Sequence, residues 1–158
     1  MHAAEDRIRR SAGTGISLPL TPAALAAGLG SPDLVVLDGS VFQRPSPDPT
    51  AMVQQSARPA FEAGRIPGSV HLDPLEWLWG RAKPFRFALP APEAIAAALA
   101  APGVGEGSRV VVHDRVGGNR AARTFWTLHW IGFDAVRAPA CGFAARRAAG
   151  LPVETGPA

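Results

Sequence analysis

One stretch limits this chain more than any other: Ser108-Arg109-Val110-Val111-Val112-His113-Asp114-Arg115-Val116-Gly117-Gly118-Asn119-Arg120-Ala121-Ala122-Arg123. Val110 to Val112 is a short, unbroken apolar run, the pattern of a strand covered on both faces. Gly117 and Gly118 mark a tight loop, and a helix is expected to begin near Asn119 or Arg120. A strand that runs through such a loop into a helix makes an anion cradle, because the loop N–H groups and the helix dipole converge on one point. In open α/β sheets ligands bind at the carboxyl ends of strands, where this loop lies. The candidate site is therefore Asp114 together with Arg115, Val116, Gly117, Gly118, Asn119 and Arg120. Asp114 stands where a nucleophile would be expected, and the loop holds no cysteine.

The rest of the chain alternates between helix and strand patterns. Residues 1–15 read as a flexible lead-in and 16–158 as a single domain. Ile16 to Leu18 is a candidate first strand. Thr21-Pro22-Ala23-Ala24-Leu25 opens a short helix, with threonine at the N-cap and proline at the first helical position, ending near Gly28 or Gly30. Asp33-Leu34-Val35-Val36-Leu37-Asp38 is the clearest strand. Gly39 to Ala60 contains Pro45, Pro47, Pro49 and Pro59 and reads as an irregular surface excursion. Ser69 to Leu72 is a third strand, after the Pro67-Gly68 turn. Asp73 to Leu89, with Trp77, Trp79, Phe85 and Phe87, reads as a satellite core under a loop. Pro92 to Ala100 is an alanine-rich helix stopped by Pro102-Gly103. Ala121 to Ile131 is amphipathic, and its Phe125, Leu128, Trp126 and Trp130 are expected to pack in the core. Ala135 to Val136 and Arg137 form a fifth strand, and Phe143 to Ala149 a last helix closed by Gly150. The alternation implies a mostly parallel sheet of five strands with helices on both faces, a three-layer α/β domain.

Composition removes several function classes. Hydrophobic residues make up 47% of the 158, enough for a real core. The net charge is +3, too mild to argue for nucleic acid, and the Arg7, Arg9 and Arg10 cluster reads as a solvated tail. Arg146 and Arg147 read as a solvated helix face. No apolar run is long enough to span a membrane, and Met1 to Arg10 lack an apolar core for a secretory signal, so a cytoplasmic protein is expected. Cys141 is the only cysteine, which excludes an intrachain disulfide and a cysteine-rich metal site. No histidine and carboxylate grouping has metal-ligand spacing, so neither metal nor cofactor is expected. His71 and His129 read as isolated, packed or surface residues. Glu62 and Arg65 read as a local pair or as exposed charges.

Three segments together resemble the rhodanese, or sulfurtransferase, family. They are Val35-Val36-Leu37-Asp38, then Phe61-Glu62-Ala63-Gly64-Arg65-Ile66-Pro67-Gly68-Ser69-Val70, and the run from Val110 through His113-Asp114 and Ala121-Ala122-Arg123 to Gly142-Phe143-Ala144-Ala145 and Gly150-Leu151-Pro152-Val153. The second is similar to the family's aromatic-x-x-x-His-Ile-Pro-Gly-Ala pattern, with Arg65 in place of the histidine. Cys141-Gly142 stands at the family's glycine pair, after Ala140 instead of an acidic residue. The resemblance implies a rhodanese-like fold, with Asp38 and Arg65 as supporting positions of the site. More narrowly, the chain looks like the N-terminal half of tandem thiosulfate or 3-mercaptopyruvate sulfurtransferases, in which the first half usually carries aspartate in the loop and the second half the catalytic cysteine. Gly150 to Gly156 resembles the start of their interdomain linker.

Persulfide chemistry needs a thiolate whose pKa is lowered by a helix N-terminus and loop amides. A carboxylate cannot carry sulfur. Asp114 is expected instead to accept loop N–H groups and lock the turn. Its charge would repel a small sulfur anion unless Arg115 or Arg120 compensates. Cys141, the only thiol, is expected to be a small residue filling a glycine site. These expectations describe a sulfurtransferase-family domain that is inactive alone, with the cysteine supplied by a second rhodanese domain or a partner. The alternative is a stand-alone pseudoenzyme that scaffolds a partner or senses an anion. The spacing His113-Asp114-x5-Arg120 also echoes the His-Cys-x5-Arg loop of cysteine phosphatases, which gives a weaker third reading as an oxyanion binder.

Overall fold

The computed structural model describes residues 20–48, 50–77, 88–138 and 142–157. The continuous apolar runs do become strands of a parallel sheet. Strand β1 (Leu34–Asp38) pairs with β5 (Arg109–His113) over its whole length, from Leu34 beside Arg109 to Asp38 beside His113. Strand β4 (Val70–His71) joins the other edge of β1, and β6 (Val136–Arg137) the other edge of β5. The order is β4-β1-β5-β6, all parallel. These are four of the five strands expected. The candidate strand Ile16 to Leu18 lies outside the described residues, as do Trp79, Phe85, Phe87, Cys141 and the Arg7, Arg9 and Arg10 cluster.

Helices cover both faces because successive strand residues point in opposite directions. Val110 and Val112 pack with Leu37, with Ile95 and Leu99 of α4 (Pro92–Ala100), and with Ala121 and Leu128 of α5 (Asn119–Trp130). Val111 and Val36 face the other way, onto Leu25 of α1 (Pro22–Gly28), Ile66, and Phe143 of α6 (Phe143–Ala148). This is the expected three-layer α/β arrangement. The start of α1 also follows its sequence: the Thr21 hydroxyl accepts the Ala24 N–H at 3.1 Å, and Pro22 stands at the first helical position. Trp77, on the short helix α3 (Pro74–Trp77), is buried in the first core. None of the described helices is long and apolar enough to cross a membrane.

The structure corrects four expectations. Gly39 to Ala60 is not an irregular excursion. It holds an antiparallel hairpin, β2 (Val41–Pro45) with β3 (Met52–Ser56), and then α2 (Arg58–Glu62). The hairpin is tied by Arg44 donating to Gln55 and by Asp48 closing the turn onto Thr50. Trp126 and Trp130 are not core residues: they are 69% and 54% exposed, because Ala121, Thr124, Thr127 and Leu128 form the inward stripe of α5. Arg146 is buried, not solvated, and its Nε donates to the Pro152 carbonyl at 2.7 Å. Arg65 is buried too, and its partner is Glu154, not Glu62.

Gly142 is the tightest point between the layers. A Cβ there would sit 2.0 Å from the Asp114 carbonyl oxygen, in backbone that cannot swing away. Gly142→Ala is therefore expected to destabilise the domain by about 1–3 kcal/mol or more in urea unfolding, whereas Gly105→Ala, where the added atom meets nothing within 4 Å, should stay within about 0.5 kcal/mol.

Candidate functional site

The loop at the carboxyl end of β5 is organised by Asp114. Its carboxylate accepts four main-chain N–H groups. Oδ1 takes those of Val116 at 2.9 Å and Gly118 at 2.8 Å, and Oδ2 takes those of Arg120 at 2.8 Å and Ala121 at 2.9 Å. The loop can aim these amides inward because Gly117 and Gly118 both adopt positive φ, +87° and +90°. The Arg120 and Ala121 amides belong to the first turn of α5, whose N–H groups have no helical partner. A carboxylate there also meets the positive end of the helix dipole. The loop and helix N–H groups expected to converge do so, and they converge on the protein's own buried Asp114.

The two loop arginines do not serve the cradle. Arg115 turns beneath the loop: its Nε donates to Asp38 Oδ2 at 2.8 Å and its Nη2 to the Gly64 carbonyl at 2.6 Å. Its guanidinium lies 4.0 Å from the centre of the Phe143 ring, a cation–π contact. Its main-chain N–H donates to the Ser40 hydroxyl at 3.0 Å. Arg120 gives its main-chain N–H to Asp114, but its side chain reaches the hairpin, with Nη2 3.5 Å from Gln54 Oε1. The loop's own His113-Asp114-x5-Arg120 spacing therefore does not bring a guanidinium over the loop amides. Val116 is half-buried, and Gly117, Gly118 and Asn119 line the exposed rim.

Beneath the loop, Asp38, His71 and His113 lie side by side at the ends of three neighbouring strands. All three are buried. Ser40 gives Asp38 Oδ1 both its main-chain N–H, at 3.0 Å, and its hydroxyl. Burial alone would raise the Asp38 pKa. The His113 ring when charged, the Ser40 hydroxyl and Arg115 together outweigh that and hold the carboxyl below its ordinary range. His71 Nε2 lies 3.1 Å from the Ser40 carbonyl, and its ring packs on Phe61. His113 Nε2 is 4.0 Å from Asp38 Oδ2, and neither ring nitrogen has a hydrogen-bond partner among the described residues. Burial pushes the His113 pKa down, against the pull of Asp38, and keeps the ring neutral. His129 instead pairs with Asp134 at 3.0 Å on the surface. Among the described residues no group of three histidine, cysteine or carboxylate side chains could hold a metal.

Arg65, the arginine in the second motif, lies on the far side of Gly64 from Arg115. Its Nη2 donates to Glu154 Oε1 at 2.6 Å and its Nη1 to the Gly156 carbonyl at 2.5 Å. Ser40 did not stand out from the sequence; Gly142 and Phe143 carried a signal only as part of the third motif, and Glu154 only within the linker-like ending.

The family model for the rhodanese-like domain matches residues 21–149. The chain belongs to the rhodanese-like domain family. It is 38% identical over 141 residues to a probable 3-mercaptopyruvate sulfurtransferase of Pseudomonas aeruginosa, covering 87% of this chain and 47% of that protein. It is 33% identical to thiosulfate/3-mercaptopyruvate sulfurtransferase 2 of Arabidopsis thaliana, covering 83% of this chain and 36% of that one. The chain thus spans half or less of the length of these relatives. Among solved structures, it superposes on the 3-mercaptopyruvate sulfotransferase SseA of Escherichia coli with a TM-score of 0.73 and 25% identity, covering 87% of this chain and 51% of SseA. Tum1 of Saccharomyces cerevisiae, at 22% identity and a TM-score of 0.69, shares the fold.

Two outcomes test this site. Arg115→Ala removes the partner of a buried carboxylate and is expected to cost about 3–5 kcal/mol in urea unfolding, whereas Arg120→Ala should cost no more than about 0.5 kcal/mol. The second concerns pH. The His113 pKa is lower folded than unfolded, so the unfolded chain takes up the proton first. Stability should fall as pH drops below about 6.5, by up to about 1.4 kcal/mol per pH unit, until the folded ring itself titrates. Unfolding free energies at pH 7.5 and pH 5.5 read this loss directly, and His113→Gln should shrink it.

Proposed function

We propose that this chain is a non-catalytic rhodanese-like domain of the thiosulfate or 3-mercaptopyruvate sulfurtransferase type, of the kind found as the N-terminal half of tandem enzymes. On this reading its own loop performs no sulfur transfer, and a cysteine-bearing rhodanese domain or partner protein supplies the nucleophile. The observation that carries the reading is the Asp114 carboxylate on its four amides. Sulfur transfer needs a sulfur nucleophile in that position: a thiolate attacks the sulfane sulfur of thiosulfate, the S–S bond breaks and sulfite leaves with the electron pair. An aspartate oxygen forms no stable persulfide, and here its lone pairs are engaged by the amides that would otherwise steady an incoming anion. The relatives' names, which pair 3-mercaptopyruvate with sulfur transfer, support the substrate class. Their greater length supports a second body in the working assembly.

The purified chain, given thiosulfate or 3-mercaptopyruvate with cyanide, is expected to form thiocyanate no faster than buffer, and alkylating Cys141 should change nothing. Asp114→Cys is expected to gain the mass of one sulfur atom after incubation with thiosulfate, lost on adding cyanide. Thiocyanate formation by the unaltered chain that alkylation abolishes would overturn the reading. So would a folded Asp114→Cys variant that never loads sulfur.

A further inference from the structure

One peptide unit in this fold is held from both sides by distant parts of the chain. The N–H of the Gly64–Arg65 peptide donates to the Glu154 carbonyl at 2.8 Å, and its C=O accepts from Arg115 Nη2 at 2.6 Å. On the Glu154 side, the segment 152–157 lies along Arg65 as a strap. The Glu154 N–H donates back to the Arg65 carbonyl at 3.0 Å, and the Gly156 N–H to the Glu62 carbonyl at 2.9 Å. Arg65 clasps the strap through Glu154 and Gly156, the Gly68 N–H donates to Glu154 Oε2 at 2.9 Å, and Arg146 holds the Pro152 carbonyl. On the Arg115 side, the same guanidinium is bound to Asp38, and the residue itself follows Asp114 in the loop. Arg65 and Asp38 are buried, and Arg115 is nearly so.

We infer that the strap and the amide-lined loop are conformationally coupled through the Gly64–Arg65 peptide, with Arg65 as the positioning residue. Hydrogen bonds at opposite ends of one peptide polarise each other, so loss of one weakens the other. The peptide plane also cannot tilt to follow a displaced strap without moving its carbonyl away from Arg115. Arg115 then loses one of its two side-chain anchors, and the loop amides beside it loosen their grip on Asp114. Anything that takes hold of residues 152–157 from outside therefore reaches the loop without touching it. Coupling of this kind is reciprocal, so a change at Asp114 must also loosen the strap. The inference stands whether or not the loop is catalytically silent.

Hydrogen exchange followed by NMR on the whole chain tests it. Gly156→Pro removes the N–H donated to Glu62 at a position of positive φ, and Glu154→Ala removes the clasp; both substitutions lie in the strap, away from the loop. Each is expected to speed exchange of the Val116, Gly118 and Ala121 amides roughly tenfold and to shift the Arg115 Nε–H resonance, while the Val36 and Val111 amides in the sheet keep their rates. Asp114→Asn is expected to speed exchange of the Arg65 and Gly156 amides in return. If the strap variants free the Arg65 amide while the loop amides and the Arg115 resonance stay unchanged, the coupling does not exist. If sheet amides accelerate as much as loop amides, the effect is general destabilisation and the inference fails equally.

Discussion

A single carboxylate does three jobs in the loop after β5. Asp114 satisfies the free N–H groups at the start of α5, fixes a turn built on two left-handed glycines, and provides the negative charge that the amides and helix dipole attract. Charge-assisted bonds of this kind are the strong ones, and here all four are made inside one side chain's reach. No donor of the cradle among these four is left to an outside anion. A thiol in the same seat would be shaped by the amides; the carboxylate uses them up.

The loop in turn rests on a buried polar layer that is complete on one side and incomplete on the other. Asp38 is surrounded by Ser40 and Arg115, and Arg115 is closed by Gly64 and Phe143. Breaking the Asp38–Arg115 pair would leave a charge in a poor solvent. His113 sits in the same layer with no hydrogen-bond partner for its ring among the described residues. A neutral ring tolerates that far better than a charged one.

Much of this was legible in the sequence, and the reasons for the exceptions differ. β1, β5 and α4 announce themselves because continuous apolar runs and an alanine-rich helix opened by proline encode local structure directly, and α5 through its amphipathic spacing. The strand-loop-helix pattern pointed to the loop after β5, and Asp114 accepts the loop N–H groups that its chemistry suggested. The hairpin was hidden because its strands carry Pro45 and several polar residues, and its ladder rests on main-chain pairing that leaves little mark on side-chain pattern. Trp126 and Trp130 show that helical spacing reveals a stripe but not which stripe faces inward; Thr124 and Thr127, nominally polar, hold the buried side. Arg65 was unreadable for another reason. Its partner Glu154 lies 89 residues away, and no local pattern records a meeting at that distance. Whether Arg115 or Arg120 compensates the Asp114 charge was left open by the sequence, which names a guanidinium but not the direction its long stem takes.

The sheet's pairing pattern carries a kinetic consequence. Every ladder of the four-stranded sheet is parallel, joining Leu37 to Val70, Leu34 to Arg109 and Val110 to Val136. Each requires a long stretch of chain to be looped out before a single bond forms, and the entropy of that closure is spent before any burial repays it. Only the β2–β3 hairpin, among the described strands, closes over a short span. A folding chain of this design assembles its central pairing late, so for most of the climb the strands that become its driest surface stand open to their neighbours in solution.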